Sequence, residues 1–274
     1  MKKAILAVSF GTSHPEALAQ SVFPMEQALA RGCPGWEIRR AFTSERVISS
    51  LRQQGIPAED VVQAMSRLEA EGFTHVAVQP LFVTPGSEYE KLQALLNPCR
   101  WRLRLSVGAP LLGESSDFSA AAEALASWYP PCQPGEALIL MGHGSAGGGT
   151  VYLRMAQALQ EYRKDICLAV MAGHPSLEDV LAQLALRKEI QTLLLAPFLL
   201  TAGLHAHREL ALWAGRLREA GYPVSCLRQG LSQCTEIQKR FATHCVQAVS
   251  ALSRMEPAEP EYSAADAITK GEKS

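Results

Sequence analysis

Short apolar runs alternate along this chain with longer stretches in which apolar residues return every three or four positions. Eight runs have the length and composition of buried strands: 4–10, 37–43, 75–83, 102–110, 137–143, 166–173, 192–200 and 223–228. Between them, Leu18, Val22, Met25 and Leu29 form one helical stripe, Val61, Met65 and Leu68 a second, and Val180, Leu181, Leu184 and Leu186 a third. Strands alternating with helices of this length predict parallel βαβ units. The fold class is therefore α/β, with two similar lobes, each a four-stranded parallel sheet flanked by helices. Prolines and a glycine interrupt the pattern at 129–135, which sets the lobes at 1–130 and 131–254. Ser13-His-Pro-Glu16 has capping-box spacing with Pro15 inside the first turn, and Ser176-Leu-Glu-Asp179 follows similar logic. The closing stretch 235–252 places Ile237, Phe241, Cys245 and Val249 on one face, which should dock on the body. Residues 255–274 are too polar to bury much surface and read as a disordered tail.

The two halves nearly repeat one another. The first half carries Ala-Val-Ser-Phe-Gly-Thr-Ser (7–13) and then 79–91; the second carries Ile-Leu-Met-Gly-His-Gly-Ser (139–145) and then 196–208. Laying Gly11 on Gly144 and Gly86 on Gly203 sets Phe10 against His143 and Glu88 against His205. A duplicated scaffold whose second copy has gained histidines at its strand ends reads as one copy specialised for chemistry, since imidazole is both a metal ligand and a proton acceptor near neutral pH.

Bulk composition narrows the partners. A formal charge of −1 gives no basic surplus, so nucleic acid is not expected. No apolar run approaches the ~20 residues that span a bilayer, so no membrane association is expected. The start could open a signal peptide, but its apolar stretch ends at Val8 and matches the strand at 137–143, so a first strand and a cytoplasmic location are expected. Seven irregularly spaced cysteines with no Cys-x-x-Cys indicate reduced thiols rather than a disulfide framework or zinc knuckle.

Ligands of open parallel sheets bind beyond the carboxyl ends of the strands. His143 falls at such an end, and His205 follows the turn after the third strand of the same lobe. His174 follows the second strand and can reach the same cleft. A lone histidine is more often structural; two or three at neighbouring strand ends of one lobe can converge. Two imidazoles make a weak, open site suited to transient handling of Co2+, Ni2+ or Fe2+. His207 reads as a rim residue, and His14, His75 and His244 as surface or packing residues. Glu88 is either a solvated helix start or a contact across the cleft. The glycine-rich 142–149 lacks the Lys-Ser/Thr ending of a phosphate loop, so no nucleotide is expected. The turns at 10–13 and 143–150 still offer backbone N–H groups to a carboxylate, and Phe10, Gly11, Thr12 and Ser13 are ligand-binding candidates on that ground. Arg39, Arg40, Arg46 and Arg52 could pair with an acidic ligand, though helix arginines are usually surface residues.

Ala-Val-Ser-Phe-Gly-Thr-Ser (7–13), Arg-Ala-Phe-Thr-Ser (40–44), Gly-Ser-Glu-Tyr-Glu-Lys (86–91), Met-Gly-His-Gly (141–144) and Ala-Gly-Leu-His-Ala (202–206) together resemble the anaerobic sirohydrochlorin cobaltochelatases of the CbiK type. The likeness covers nearly the whole chain, with the motifs in the same order. It implies a class II chelatase, independent of ATP, that holds a sirohydrochlorin-type tetrapyrrole between two α/β lobes and inserts Co2+ as its substrate metal. His143 and His205 match the family's metal-site histidines, and both are candidate catalytic groups. The family's glutamate, in a Val-Glu-Ser/Gly-Tyr-Pro context, is replaced by Ala172, and its tyrosine by His174. His174 then becomes a candidate third nitrogen ligand. The departure leaves two further readings: a nickel or ferrous chelatase on the same tetrapyrrole, or a non-catalytic metal- or tetrapyrrole-binding protein. Nothing in the sequence marks an interface, but the resemblance implies that a homo-oligomer is open to this chain.

Overall fold

A computed structural model describes residues 1–97, 101–144 and 149–254; the tail at 255–274 and most of the glycine-rich loop lie outside the described residues. The first sheet comprises β1 (Lys3–Ser9), β2 (Glu37–Phe42), β3 (His75–Pro80) and β4 (Arg104–Val107), and the second β5 (Glu136–Gly144), β6 (Ile166–Ala172), β7 (Thr192–Phe198) and β8 (Val224–Cys226). Their orders are β2-β1-β3-β4 and β6-β5-β7-β8, and every pairing is parallel. The central strands are buried on both faces, as sheets covered by helices on each side require: Ala4–Val8 and Ala137–Met141 are at most 1% exposed.

The helices are α1 (Pro15–Gly32), α2 (Glu45–Gln53), α3 (Val61–Ala70), α4 (Ser87–Leu95), α5 (Ser115–Trp128), α6 (Gly149–Tyr162), α7 (Leu177–Ala185), α8 (Leu204–Glu219) and α9 (Thr235–Arg254). The stripe Leu18, Val22, Met25 and Leu29 is buried as expected. In α7, Val180 and Leu184 are buried, but Leu186 lies past the helix end and is 86% exposed. At Ser176 the capping box forms: its hydroxyl accepts from Asp179 N (3.1 Å) and the Asp179 carboxylate accepts from Ser176 N (2.7 Å). At Ser13 it does not. The N-cap of α1 is His14, because a box at Ser13 would force the residue before Pro15 into the helical region, which the proline ring disfavours. The edge strands β4 and β8 are shorter than the apolar runs 102–110 and 223–228, because the chain leaves the sheet edge: beyond β4, Leu111 N bonds to Phe82 O at 2.9 Å.

The last helix packs on the first sheet, although it follows the second in sequence. Its apolar face, Ile237, Phe241, Cys245, Ala248 and Leu252, is at most 5% exposed and joins a core that includes Ile5, Leu29 and Leu125 of the first half and Leu140 and Phe198 of the second. Each large side chain so buried contributes roughly 1.5–3 kcal/mol relative to exposure. Ser106 of β4 donates to Ala248 O at 2.7 Å. Asp117 of α5 and His244 of α9 are both fully buried and bonded to each other at 3.0 Å. Arg163 ties down the connection between the sheets, donating to Ala126 O, Tyr129 O and Pro130 O.

Candidate functional site

The carboxyl ends of both sheets carry the residues singled out above. The turn after β1 presents Phe10, 55% exposed, and then Gly11 at φ +88°. A Cβ on Gly11 would lie 2.6 Å from the Phe42 ring, so the turn requires glycine both for its left-handed backbone and for the space. Thr12 is buried, and Ser13 is held through its carbonyl, which accepts from Gln54 Nε2 at 2.9 Å. The second sheet repeats this turn. Gly144 adopts φ +75°, and a Cβ there would collide with Ala172 O at 2.0 Å. The residue before it, His143, is exposed at the end of β5. Its Nδ1 lies 3.2 Å from Gly144 O. A carbonyl can only accept, so Nδ1 carries the proton in this contact and Nε2 keeps its lone pair for a ligand.

The other strand-to-helix turn also repeats. Gly86 and Gly203 are the N-caps of α4 and α8, with near-identical extended backbones. Glu88 and His205 accordingly occupy matching places in the first turns of the two helices. His205 is exposed. The loop that delivers it is pinned from behind, where Leu231 N bonds to Leu199 O (2.9 Å) and Ser232 N to Leu200 O (3.1 Å). Gly230 permits that approach, since a Cβ there would stand 2.7 Å from Leu200 O. Glu88 is half-buried and pairs with Lys91 at 2.9 Å, an exposed pair of small energetic weight.

Because β6, β5 and β7 are neighbours, His174, His143 and His205 stand at the ends of three adjacent strands. They share a rim without closing into a ligand cage. Among the described residues, only Glu114, Asp117 and His244 form a trio with ligand atoms within 4.8 Å of one another, and Arg240 occupies that carboxylate. His174 is exposed, and its Nδ1 donates to Asp179 Oδ2 at 2.6 Å, which orients the ring. The amide of Ser176 and the His174 ring hold the Asp179 carboxyl below its ordinary value. Ala172 is exposed at the end of β6, paired with Gly144, one residue from His143. His207 is half-buried, with Nε2 enclosed and unpartnered. Arg39 and Arg40 are occupied by Glu37, Glu71 and Glu26, so they are not free for an acidic ligand.

The two sheet ends face one another. Thr12 Oγ1 lies 3.3 Å from where a Cβ on Gly203 would stand. Tyr152 of α6 is buried against the end of the second sheet, its ring centroid 6.4 Å from that of Phe198. Burial pushes the Tyr152 phenol up. Sequence reasoning missed Tyr152, which lies on an ordinary helical stripe.

Two topologically identical parallel sheets flanked by helices are also the fold of solved chelatases. SirB from Bacillus subtilis with Fe3+ matches with a TM-score of 0.65 at 19% identity, over 93% of this chain and 99% of that one. SirB from Bacillus subtilis subspecies spizizenii, in complex with cobalt, matches with a TM-score of 0.61 at 17% identity, over 93% and 98%. More particularly, the chain belongs to the cobalt chelatase (CbiK) family, whose model matches residues 3–250. It is 33% identical over 260 residues to the sirohydrochlorin cobaltochelatase of Salmonella typhimurium, covering 91% of this chain and 97% of that enzyme. It is 29% identical over 261 residues to the sirohydrochlorin cobaltochelatase CbiKC of Nitratidesulfovibrio vulgaris, covering 92% of each.

Proposed function

We propose that this protein inserts Co2+ into sirohydrochlorin, without ATP, in cobalamin biosynthesis in the cytoplasm. The observation that carries the reading is the pair of exposed imidazoles, His143 and His205, at the ends of adjacent strands β5 and after β7, in a chain of the cobalt chelatase family. The reaction exchanges two pyrrole N–H protons for one cation, so the site must take a partly dehydrated metal and accept protons. Neutral imidazole does both: one ring nitrogen donates its lone pair to the metal and, once the metal moves on, can take up a proton. Two ligands on an open rim hold Co2+ loosely enough to release it. Phe10 offers an exposed flat ring to the macrocycle. The Gly11–Ser13 turn leads into the N-terminus of α1, where backbone N–H groups favour the substrate's carboxylates. His174 and Glu88 are the supplementary contacts, on the metal-bearing and the opposite lobe.

Ala172 determines the character of the metal set. Ala172 sets a methyl group beside Gly144, so this strand end offers the metal no anionic oxygen of its own. Nitrogen ligation favours Co2+ and Ni2+ over Fe2+, and affinity alone does not separate the first two. Parallel anaerobic assays with the three ions are expected to rank Co2+ and Ni2+ above Fe2+; Fe2+ insertion faster than both would overturn the assignment of the metal. Ala172→Glu adds a carboxylate beside the rim and is expected to tighten Co2+ binding about tenfold, the scale seen when a metal site's supporting groups change. Unaltered Co2+ binding in a folded variant would mean that the metal does not approach this strand end.

A further inference from the structure

Two cysteines meet inside the core, at the end of α1 away from the metal rim. Cys33 is the C-cap of α1, and Cys245 lies in the middle of α9. They are 212 positions apart in sequence, yet their Sγ atoms are 3.9 Å apart. Cys33 is 4% exposed and Cys245 is fully buried. The two helices also approach closely here. A Cβ on Gly32, the residue before Cys33, would stand 3.3 Å from Ala242 Cβ and 3.7 Å from Val246 Cγ2, which flank Cys245 on α9. Cys33 itself has left the helix, at φ −130° and ψ 70°, so its side chain is not held to helical geometry. A disulfide sets its sulfurs about 2.05 Å apart. From 3.9 Å the pair must close by about 2 Å, within reach of a side-chain rotation and a small shift at Cys33.

We infer that Cys33 and Cys245 are a site of reversible oxidative modification, closing to a disulfide that staples the crossing helix α9 to α1. The oxidant is a small peroxide. The Cys33 thiolate attacks a peroxide oxygen; the O–O bond breaks, leaving a sulfenic acid at Cys33 and, with hydrogen peroxide, releasing water. The Cys245 sulfur then attacks the sulfenyl sulfur, the S–O bond breaks and a second water leaves. Two electrons pass from the thiols to the peroxide, and the two thiol hydrogens end in the waters. A thiol reductant restores the pair. The link closes a loop over most of the chain, so it constrains the unfolded state strongly. It lies a full helix of 18 residues, roughly 27 Å, from the Gly11–Ser13 turn, so it acts on stability rather than on the rim.

The test exposes the reduced full chain, under native conditions, to hydrogen peroxide until the exposed Cys226 is modified. Peptides are then mapped by mass spectrometry without reduction. The expected product is a cross-linked pair of peptides containing Cys33 and Cys245, lighter by two hydrogens and separated again by dithiothreitol. The thermal midpoint should rise by about 5–10 °C. Cys33→Ala and Cys245→Ala should each abolish both the cross-link and the rise. Because the wild-type cross-link is read directly, the result does not depend on how well either variant folds, nor on whether the protein inserts cobalt. Cys226 oxidised while Cys33 and Cys245 stay reduced would overturn the inference. So would Cys33 carried on to sulfinic acid, a cross-link without a rise in midpoint, or the same rise in Cys33→Ala.

Discussion

His205→Ala is expected to lower the rate of cobalt insertion at least about 100-fold, the low end of what a lost proton acceptor costs, before any loss of metal capture is counted. The fold should be indifferent to the change. His205 is exposed in the first turn of α8, where alanine is a better helix former. The loop before it is fixed by Leu231 and Ser232 through backbone bonds that the imidazole does not make. His143→Ala should behave the same way. If the two rings hold one cation together, the double variant should lose little more than either single one, since groups acting as a unit are not additive. Insertion rates at saturating macrocycle, with a Co2+ titration of each variant, check this. A His205→Ala protein that inserts cobalt at the wild-type rate would remove the residue from the site.

The largest stability effect is expected far from the rim, at Asp117. This carboxylate is completely buried and accepts from the Glu114 amide (2.6 Å), from Arg240 Nε (2.5 Å) and from His244 Nε2 (3.0 Å). His244 is also fully buried, and its Nδ1 faces Ala109 O at 3.2 Å. The ring is thus held between the Asp117 carboxylate and the Ala109 carbonyl. Asp117→Ala would strand the His244 ring and the Arg240 guanidinium beneath α9. Breaking a buried charged network in this way costs about 3–5 kcal/mol, which at this chain length lowers the melting temperature by roughly 10 °C. Burial alone would raise the Asp117 carboxyl, but the His244 ring, the Glu114 amide and Arg240 outweigh it and hold it below its ordinary value. A carboxyl lowered in the folded state stabilises above its unfolded pKa, and that stability is lost as pH falls through the folded value. The contribution should therefore be complete at neutral pH, start to fall near the unfolded value of about pH 4, and vanish only below the lower folded value. Melting curves of wild type and Asp117→Ala against pH should converge in acid. A constant separation down to pH 2 would assign the effect to packing alone.

The parts of the fold legible in the sequence were those written in local chemistry. Each of the eight runs contains a strand, and the central ones are apolar at 4–8 and 137–141 because both their faces are buried. The repeat of glycines also carried through: Gly11 and Gly144 share a left-handed backbone, and Gly86 and Gly203 both cap helices. What failed locally did so for stated reasons, such as Pro15 moving the N-cap to His14 and Leu186 falling beyond the end of α7. What could not be read was long-range. The crossing of α9 to the first sheet is decided by which surface remains uncovered, and its apolar stripe looks the same wherever it docks. Tyr152 is a similar case, since its ring meets Gly142 of β5 and Phe198 of β7 only in the closed fold. His174 shows the opposite limit. Sequence put it near the metal rim, and the structure adds Asp179, whose carboxylate orients the ring.

The most direct test of the central claim is anaerobic insertion of Co2+ into sirohydrochlorin by the wild-type protein, followed through the absorbance of the free macrocycle and compared with the rate in its absence. Catalysis predicts a rate proportional to protein concentration, with many turnovers per chain and no requirement for ATP. A rate no higher than the uncatalysed background, from a folded protein that still binds cobalt or the macrocycle, would contradict it.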